Sequence, residues 1–201
     1  MYVLARVASG SGGRRAFGGT RYGPPVPGPE ESTAHQTARL SIEPLRPDHA
    51  DELHAALADP AVHRFIETSG PWTVAAVQAR LERVSAGPPA GGTEVWLNYA
   101  VRREARLVGR LESTVHGQLA EIAYLFDPAV SGQGYATEAV EWLLGHLAGG
   151  HGVTEVWATT DPGNDASVRL LRRTGFAQVD EVHPDIGSYD EGDLVFRRRL
   201  G

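Results

Sequence analysis

The sequence predicts an α/β fold, a single domain with a mixed, mostly antiparallel sheet flanked by helices. Three observations favour it. Strand-like segments at 94–103, 105–115 and 119–126 follow one another with very short links, which is typical of antiparallel hairpins. Glycines at 132 and 134 then separate the third segment from a stretch with helical periodicity. A further strand-like segment follows that helix, as expected where a crossover joins two parallel strands.

One strand and three helices are expected before the hairpins. ARLSIEPLR (38–46) alternates apolar and polar positions as a strand does. Asp48 is the expected N-cap of the first helix, and DPAVHRFIE (59–67) predicts a short second one. A longer helix is expected from Thr73 to Gly87, with apolar residues on one face.

The C-terminal third predicts two helices and three strands. Residues 138–147 have apolar side chains at helical spacing, and VTEVWATT (153–160) reads as a strand. Asn164 is the expected N-cap of the last helix, and Gly175 the left-handed residue that ends it. Two final strands, GFAQVDEV and DLVFRRRL, complete the predicted sheet.

Residues 1–37 are expected to form a flexible extension, and residues 38–201 the folded domain. The extension is rich in Gly, Pro, Ser and Thr, so it offers too little apolar surface to offset the entropy of ordering it. A basic arm for a partner is the alternative interpretation, because residues 1–40 carry a charge of +3.

Composition narrows the class of protein. The chain has 201 residues, 41% of them hydrophobic and 22% charged, which is typical of globular proteins, and it shows neither a secretory signal nor a long apolar run. Cytoplasm is therefore the expected compartment. The absence of cysteine excludes disulfides, thiolate metal sites and a cysteine nucleophile. The net charge of -6 argues against nucleic acid and mildly favours cationic substrates such as amines.

The glycine pair at 132 and 134 has two interpretations. A helix start presents unpaired N–H groups and the positive end of the helix dipole, and glycine lets an anionic ligand approach closely. A tight turn that merely needs positive φ is the other interpretation, and spacing alone does not separate them. A P-loop would need a lysine where Tyr135 stands, and a dinucleotide fingerprint would need Gly or Ala at Thr137. A nucleotide-binding protein is therefore a weak alternative.

Three stretches carry a family resemblance that spans residues 38 to 200. LAEIAYLFDPAVSGQGYATEAVEWLL resembles the central motif of the GNAT superfamily of acyl-CoA-dependent N-acyltransferases. Gly134 and Ala136 match its glycine pattern, while Ser131 stands where the motif has Gln or Arg. ARLSIEPLRPDHADELHAALADPAV resembles the opening of the branch that includes the ribosomal-protein N-terminal acetyltransferases. DPGNDASVRLLRRTGF resembles that branch's Asn-x-x-Ser helix.

The resemblance implies a splayed sheet that binds acetyl-CoA as cosubstrate. The strand ending at Phe126 and the strand at 153–160 would part, and the pantetheine arm would pair with the backbone of Leu125 and Phe126. The pyrophosphate would lie on the glycine loop and helix start, and Asn164 would contact the pantetheine. The loop residues concerned are Gly132, Gln133, Gly134, Tyr135, Ala136 and Thr137.

Two residues are candidates for catalysis. Glu121, on the strand leading into the motif, would be the general base, directly or through water; a solvated charge is the alternative. Ser167 matches the branch's motif serine, which the resemblance places near the cofactor sulfur, so it would contact the cofactor there and protonate the departing thiolate. The alternative is that a serine three residues after a cap simply bonds backbone. Glu112 and His116 are weaker candidates that we expect at the surface.

Four further residues are candidates for binding the acceptor amine. Tyr189 and Asp193 fall in a loop that approaches the acceptor in similar enzymes, Tyr124 lies on the motif strand, and Trp72 lies near the helices that floor the pocket. Core packing is the alternative for Tyr124 and Trp72, and an exposed loop position for Tyr189. The eight histidines show no metal-binding spacing, so no metal is predicted.

The predicted function is direct transfer of an acetyl group from acetyl-CoA to a primary amine, on a protein N-terminus or a small molecule, without a covalent enzyme intermediate. A non-catalytic CoA-binding or protein-interaction module on the same fold is the alternative. The expected protein acts as a monomer or homodimer, without nucleic acid or membrane partners.

Overall fold

A computed structural model describes residues 2–3, 33–65 and 72–201. Within them lie four α-helices: α1 (Ala50–Ala56), α2 (Val74–Ser85), α3 (Tyr135–His151) and α4 (Asp165–Arg173). The strands are β1 (Tyr2–Val3), β2 (His35–Gln36), β3 (Ser41–Pro44), β4 (Val95–Arg103), β5 (Arg106–His116), β6 (Leu119–Phe126), β7 (Glu155–Thr160), β8 (Ala177–Val179) and β9 (Leu194–Arg199).

The sheet has the predicted mixed, mostly antiparallel character. Its strand order is β2-β3-β4-β5-β6-β7-β9-β8, and β6 with β7 is the parallel pair. That pairing covers Leu119 to Glu121 against Glu155 to Trp157 and then stops. The strands diverge beyond this point, so the splay that the resemblance implies is confirmed.

The divergence leaves one edge of β6 free for another partner. β5 pairs with β6 along its whole length, from Leu119 to Phe126. β1 therefore takes the opposite edge, which faces β7, with Tyr2 opposite Leu125 and Val3 opposite Tyr124.

Helices cover both faces of the sheet. The face of β6 that carries Ile122, Tyr124 and Phe126 packs into one core with α3 and α4. The opposite face, which carries Leu125, packs into a second core with α1 and α2. The two faces of β6 thus belong to two different helical layers. No helix within the described residues is long and apolar enough to span a bilayer.

Several element boundaries differ from those expected. α3 begins at Tyr135 rather than residue 138, directly after the glycine pair. Asp48 is not an N-cap, because a 3-10 helix over Pro47–His49 precedes α1. The second helix is a 3-10 helix, Pro60–His63, and the predicted segment beyond Phe65 lies outside the described residues.

The paired strands also begin upstream of the expected domain boundary. His35 and Gln36 pair with β3, although both lie within residues 1–37. Thr37 Oγ1 donates a hydrogen bond to Glu138 in α3 at 2.6 Å. Most of the expected extension, residues 4–32, lies outside the described residues.

Candidate active site

The loop between β6 and α3 is shaped by its own side chains and by glycine. Asp127 accepts a hydrogen bond from the Ala129 N–H at 2.8 Å, which starts the 3-10 helix Pro128–Val130. Gly132 and Gly134 then adopt φ of 77° and 81°, in the left-handed region that favours glycine. Gly134 occupies the N-cap position of α3 without a capping side chain. The N–H groups of the first turn therefore remain available to an anion.

Arg39, two residues before β3, lies against this loop. Its Nη1 donates to the Gln133 carbonyl at 2.8 Å, and its Nε pairs with Glu138 Oε2 at 2.7 Å. Its guanidinium carbon also lies 4.7 Å from the centre of the Tyr135 ring. The loop thus has a basic side chain from a residue 94 positions before Gln133, although Ser131 stands at the motif position that is Gln or Arg. No local sequence pattern links Arg39 to the loop, so the sequence alone does not predict this contact.

Cofactor fit can be judged from this loop and from the free edge of β6. A helix start with left-handed glycines and an adjacent guanidinium suits a pyrophosphate. The edge of β6 at Tyr124 and Leu125, with which β7 does not pair, accepts an extended chain, because β1 pairs with it. The residues present therefore fit a phosphate-bearing cofactor with an extended arm.

The start of α4 brings the predicted acid next to Tyr124. Asn164 Oδ1 accepts the Ser167 N–H at 3.2 Å, so the predicted cap is confirmed. Ser167 is fully buried, and its Oγ lies 3.4 Å from the Tyr124 hydroxyl. Burial raises the pKa of the Tyr124 phenol, so this hydroxyl stays protonated. Tyr124 packs in the core on the α3 and α4 side of the sheet.

Glu121 lies at the last residue pair before the strands diverge. Its side chain is 5% exposed, so the solvated-charge interpretation is wrong. The backbone N–H groups of Gly187 and Ser188 donate to its two carboxylate oxygens, each at 3.0 Å. Burial raises the pKa of the Glu121 carboxyl, and these hydrogen bonds oppose the rise. The side chain points to the same face of the sheet as Leu125, where the loop that carries Gly187 and Ser188 covers it.

Glu112 is buried as well, so the expected surface position is wrong. It accepts hydrogen bonds from Arg80 of α2 and from Arg110 of β5. The cluster forms because β5 carries Arg110 and Glu112 on the same face, two residues apart. His116 is half-buried at the end of β5.

The remaining acceptor candidates lie in two places. Trp72 is half-buried against the α1 and α2 core, and its Nε1 donates to the His54 carbonyl at 3.3 Å. Tyr189 is 39% exposed in the loop before β9. Asp193 accepts the Asp190 N–H at 3.2 Å in the same loop. Among residues 33–65 and 72–201, no group of three or more His, Asp or Glu side chains is arranged to hold a metal ion.

Comparison with known structures finds the same fold in several acetyltransferases. The ribosomal-protein-S5-alanine acetyltransferase from Vibrio fischeri has a TM-score of 0.68 at 13% identity, over 83% of this chain and 96% of that one. RimJ from Mycobacterium smegmatis, in complex with CoA-disulfide, has a TM-score of 0.66 at 20% identity, over 80% and 81%. The Salmonella typhimurium enzyme that modifies the N-terminal serine of ribosomal protein L7/L12 has a TM-score of 0.63 at 18% identity, over 82% and 97%.

Sequence comparison identifies the family. No curated protein sequence matches significantly. The family profile of the acetyltransferase (GNAT) domain matches residues 39–177, which include strands β3 to β7, the glycine loop and α4. The chain therefore belongs to the GNAT acetyltransferases, the acyl-CoA-dependent N-acetyltransferases that use acetyl-CoA as cosubstrate.

Proposed function

We propose that this enzyme transfers the acetyl group of acetyl-CoA directly to a primary amine, with Glu121 as general base and Ser167 as general acid. One observation carries the proposal. Glu121 lies at the residue pair where β6 and β7 diverge, and Ser167 lies beside Tyr124, whose side chain is on the opposite face of β6. The base would then reach the ammonium from one face of the sheet, and the acid would reach the thioester sulfur from the other.

The chemistry asks little more of the protein. Glu121 removes a proton from the ammonium, directly or through water, and the amine nitrogen then forms a bond to the acetyl carbon. Ser167 donates its proton to the sulfur as the carbon–sulfur bond breaks, and the second proton that the nitrogen loses as the amide forms restores the Ser167 hydroxyl. No covalent enzyme intermediate is needed, so a chain without cysteine is sufficient.

The cofactor would be held mainly by backbone groups. Leu125 and Phe126 would pair with the pantetheine arm at the edge that β1 otherwise takes. The pyrophosphate would receive N–H groups from the helix start, and Asn164 would contact the arm while it caps α4. The loop residues proposed for the phosphates are Gly132, Gln133, Gly134, Tyr135, Ala136 and Thr137.

A protein N-terminus is the acceptor that we favour, and small-molecule amines are the other class. N-terminal serine of a ribosomal protein is the acceptor named for one enzyme of the same fold. Trp72, Tyr124, Tyr189 and Asp193 remain our proposed acceptor-binding residues, and the proposed compartment is the cytoplasm. A monomer or a homodimer is the proposed assembly.

A thiol-release assay with acetyl-CoA tests the proposal. The acceptor panel contains N-terminal peptides, amino acids, polyamines and aminoglycosides, and calorimetry measures CoA binding in parallel. Turnover that Glu121→Gln or Ser167→Ala removes, while CoA affinity stays, supports the assignment. Thr174→Val is the matched control, because Thr174 at the end of α4 also has a buried hydroxyl, which bonds only the Leu170 and Leu171 carbonyls of the same helix. Tight CoA binding without turnover of any amine would contradict it.

A further inference from the structure

Three charged side chains meet on the face of the sheet that carries Glu121. Arg80 Nη2 donates to both Glu112 oxygens, at 2.9 and 3.0 Å, and Arg110 Nη1 pairs with Glu112 Oε1. Arg110 and Glu112 are 4% and 2% exposed, and Arg80 is partly open at 25% of its side chain. We refer to Arg80 and Arg110, together with the Glu112 that they share, as the arginine pair site.

The charges at this site do not balance. Two guanidinium groups share one carboxylate, and no other carboxylate in the described chain pairs with either of them. The Nε atoms of Arg80 and Arg110 are buried without a hydrogen-bond partner. Burial and the charge of Arg80 lower the pKa of the Arg110 guanidinium, yet arginine does not deprotonate in proteins.

A buried net positive charge is costly unless a counter-charge completes it. A purely structural ion pair would need only one arginine to neutralise Glu112. The second arginine adds a positive charge that no carboxylate neutralises and N–H groups that no acceptor binds. The whole protein has a net charge of -6, so the excess cation is local to this face. An anionic group of a bound molecule would supply the missing charge and accept the unused N–H groups.

The location of the site points to the acceptor as that molecule. Glu112 lies opposite Ala123 and Arg110 lies opposite Leu125. Both residues are therefore one strand away from the β6 edge with which β1 pairs. Neighbouring strands are about 4.8 Å apart. Leu125 and Ala100, the β6 and β4 partners of Arg110, belong to the core with α1 and α2. The arginine pair site and Glu121 therefore share one face, on the side of the proposed acceptor.

We propose that the acceptor carries a carboxylate close to the amine that is acetylated, and that Arg80 and Arg110 bind this carboxylate. The inference rests on the proposed function and narrows its substrate class. The ammonium would meet Glu121 while the carboxylate meets the arginines, so the acceptor is an amino acid or a peptide whose first residues are acidic.

Matched pairs of acceptors that differ in one carboxylate test the inference. Alanine is compared with alaninamide, and a peptide beginning Ala-Glu with one beginning Ala-Gln, each in the thiol-release assay. We expect kcat/KM to be about tenfold or more higher for the carboxylate in at least one pair, as charge-assisted hydrogen bonds allow. A difference within the alanine pair identifies a free amino acid as the acceptor, and a difference within the peptide pair identifies an acidic N-terminus. Equal kcat/KM within both pairs overturns the inference and leaves the acetyltransferase assignment standing.

Variants of α2 locate the discrimination. Arg80→Gln should reduce the ratio within the discriminating pair towards one, since Arg110 and Glu112 then form a neutral pair. Arg83→Gln, on an exposed position of the same helix, is the control and should keep the wild-type ratio. An unchanged ratio in a folded Arg80→Gln protein that binds CoA contradicts the assignment to Arg80.

A binding measurement covers the case in which no acceptor turns over. The acetylated products N-acetylalanine and N-acetylalaninamide, and the acetylated forms of the two peptides, are titrated calorimetrically into the full-length protein saturated with CoA. We expect at least one carboxylate-bearing product to bind about tenfold more tightly than its neutral partner. Equal affinities, or no binding of any product, overturn the inference.

Discussion

The hydroxyl of Tyr124 lies 3.4 Å from that of Ser167, inside the core where β6 meets the first turn of α4. Ser167 is held in place because its N–H donates to the Asn164 side chain. A buried hydroxyl pair of this kind can share its protons in only a few ways. If the Tyr124 hydroxyl donates to Ser167, then Ser167 is free to donate its own proton elsewhere.

Replacing Ser167 should slow the chemical step more than it weakens cofactor binding. We expect Ser167→Ala to lower kcat by about 100-fold or more, because a positioned general acid typically contributes that much. Tyr124→Phe keeps the serine proton and should cost less. Steady-state kinetics with calorimetric CoA binding check both variants. A kcat for Ser167→Ala close to that of the Thr174→Val control would rule out the acid role.

Glu121 should give the rate a pH dependence with a defined sign. Burial raises the pKa of its carboxyl, so the base is lost below a pH that lies above the usual range for glutamate. We therefore expect kcat/KM to rise with pH through that raised pKa, and Glu121→Gln to lower the rate by about 100-fold or more and to remove this limb. A variant that keeps the same limb would show that another group is responsible.

The same pKa shift has a consequence for stability. The folded protein holds the Glu121 proton to higher pH than the unfolded chain does, so in the window between the two pKa values the folded state binds more protons. The contribution of Glu121 to the free energy of unfolding should therefore fall as pH rises through that window. Urea unfolding at several pH values should show a shallower fall for Glu121→Gln than for the wild type.

Local sequence rules were sufficient for the order of the strands and helices from β3 onward, whereas β1 and β2 lie in residues expected to form a flexible extension. Alternation over 94–126 and the cap at Asn164 depend on neighbouring residues, and both match the structure. The start of α3 was placed three residues late, because Tyr135 to Thr137 lack the apolar periodicity that marks the helix body. The left-handed conformation of Gly134 determines where α3 starts, and the apolar periodicity gives no signal at these three residues.

The charged residues of the site could not be predicted in the same way. Arg39 meets Gln133 and Glu138, and Arg80 meets Glu112, through contacts between distant parts of the chain. Glu112 looked like a surface residue because charged side chains are rarely buried, and only its two arginines make burial tolerable. Net charge indicated a cationic acceptor, whereas the local charge beside β6 is positive.

A methyl group at Gly134 should weaken cofactor binding. Its φ of 81° strains any L-residue, and an added Cβ would lie 3.3 Å from Arg39 Nη2. We expect Gly134→Ala to lower CoA affinity about tenfold or more, since it displaces Arg39 and narrows the approach to the helix start. Gly87→Ala is the control, because Gly87 has φ of 77° at the end of α2 with nothing within 4 Å of an added Cβ. Similar CoA affinities for the two variants would argue against a phosphate site at residue 134.

Removing residues 1–32 should increase the affinity for CoA. β1 pairs with Leu125 and Tyr124 on the β6 edge that we propose for the pantetheine arm, so the two cannot bind there together. An occupied edge lowers the apparent affinity in proportion to the fraction of molecules in which it is free. We therefore expect the Kd for CoA to fall by about two- to tenfold in the deletion variant. Val3→Pro removes one backbone N–H from β1 at full chain length and should act in the same direction. Calorimetry on the three proteins decides: unchanged affinity in both variants would mean that β1 does not compete with the cofactor, and weaker binding in both would mean that this segment supports it.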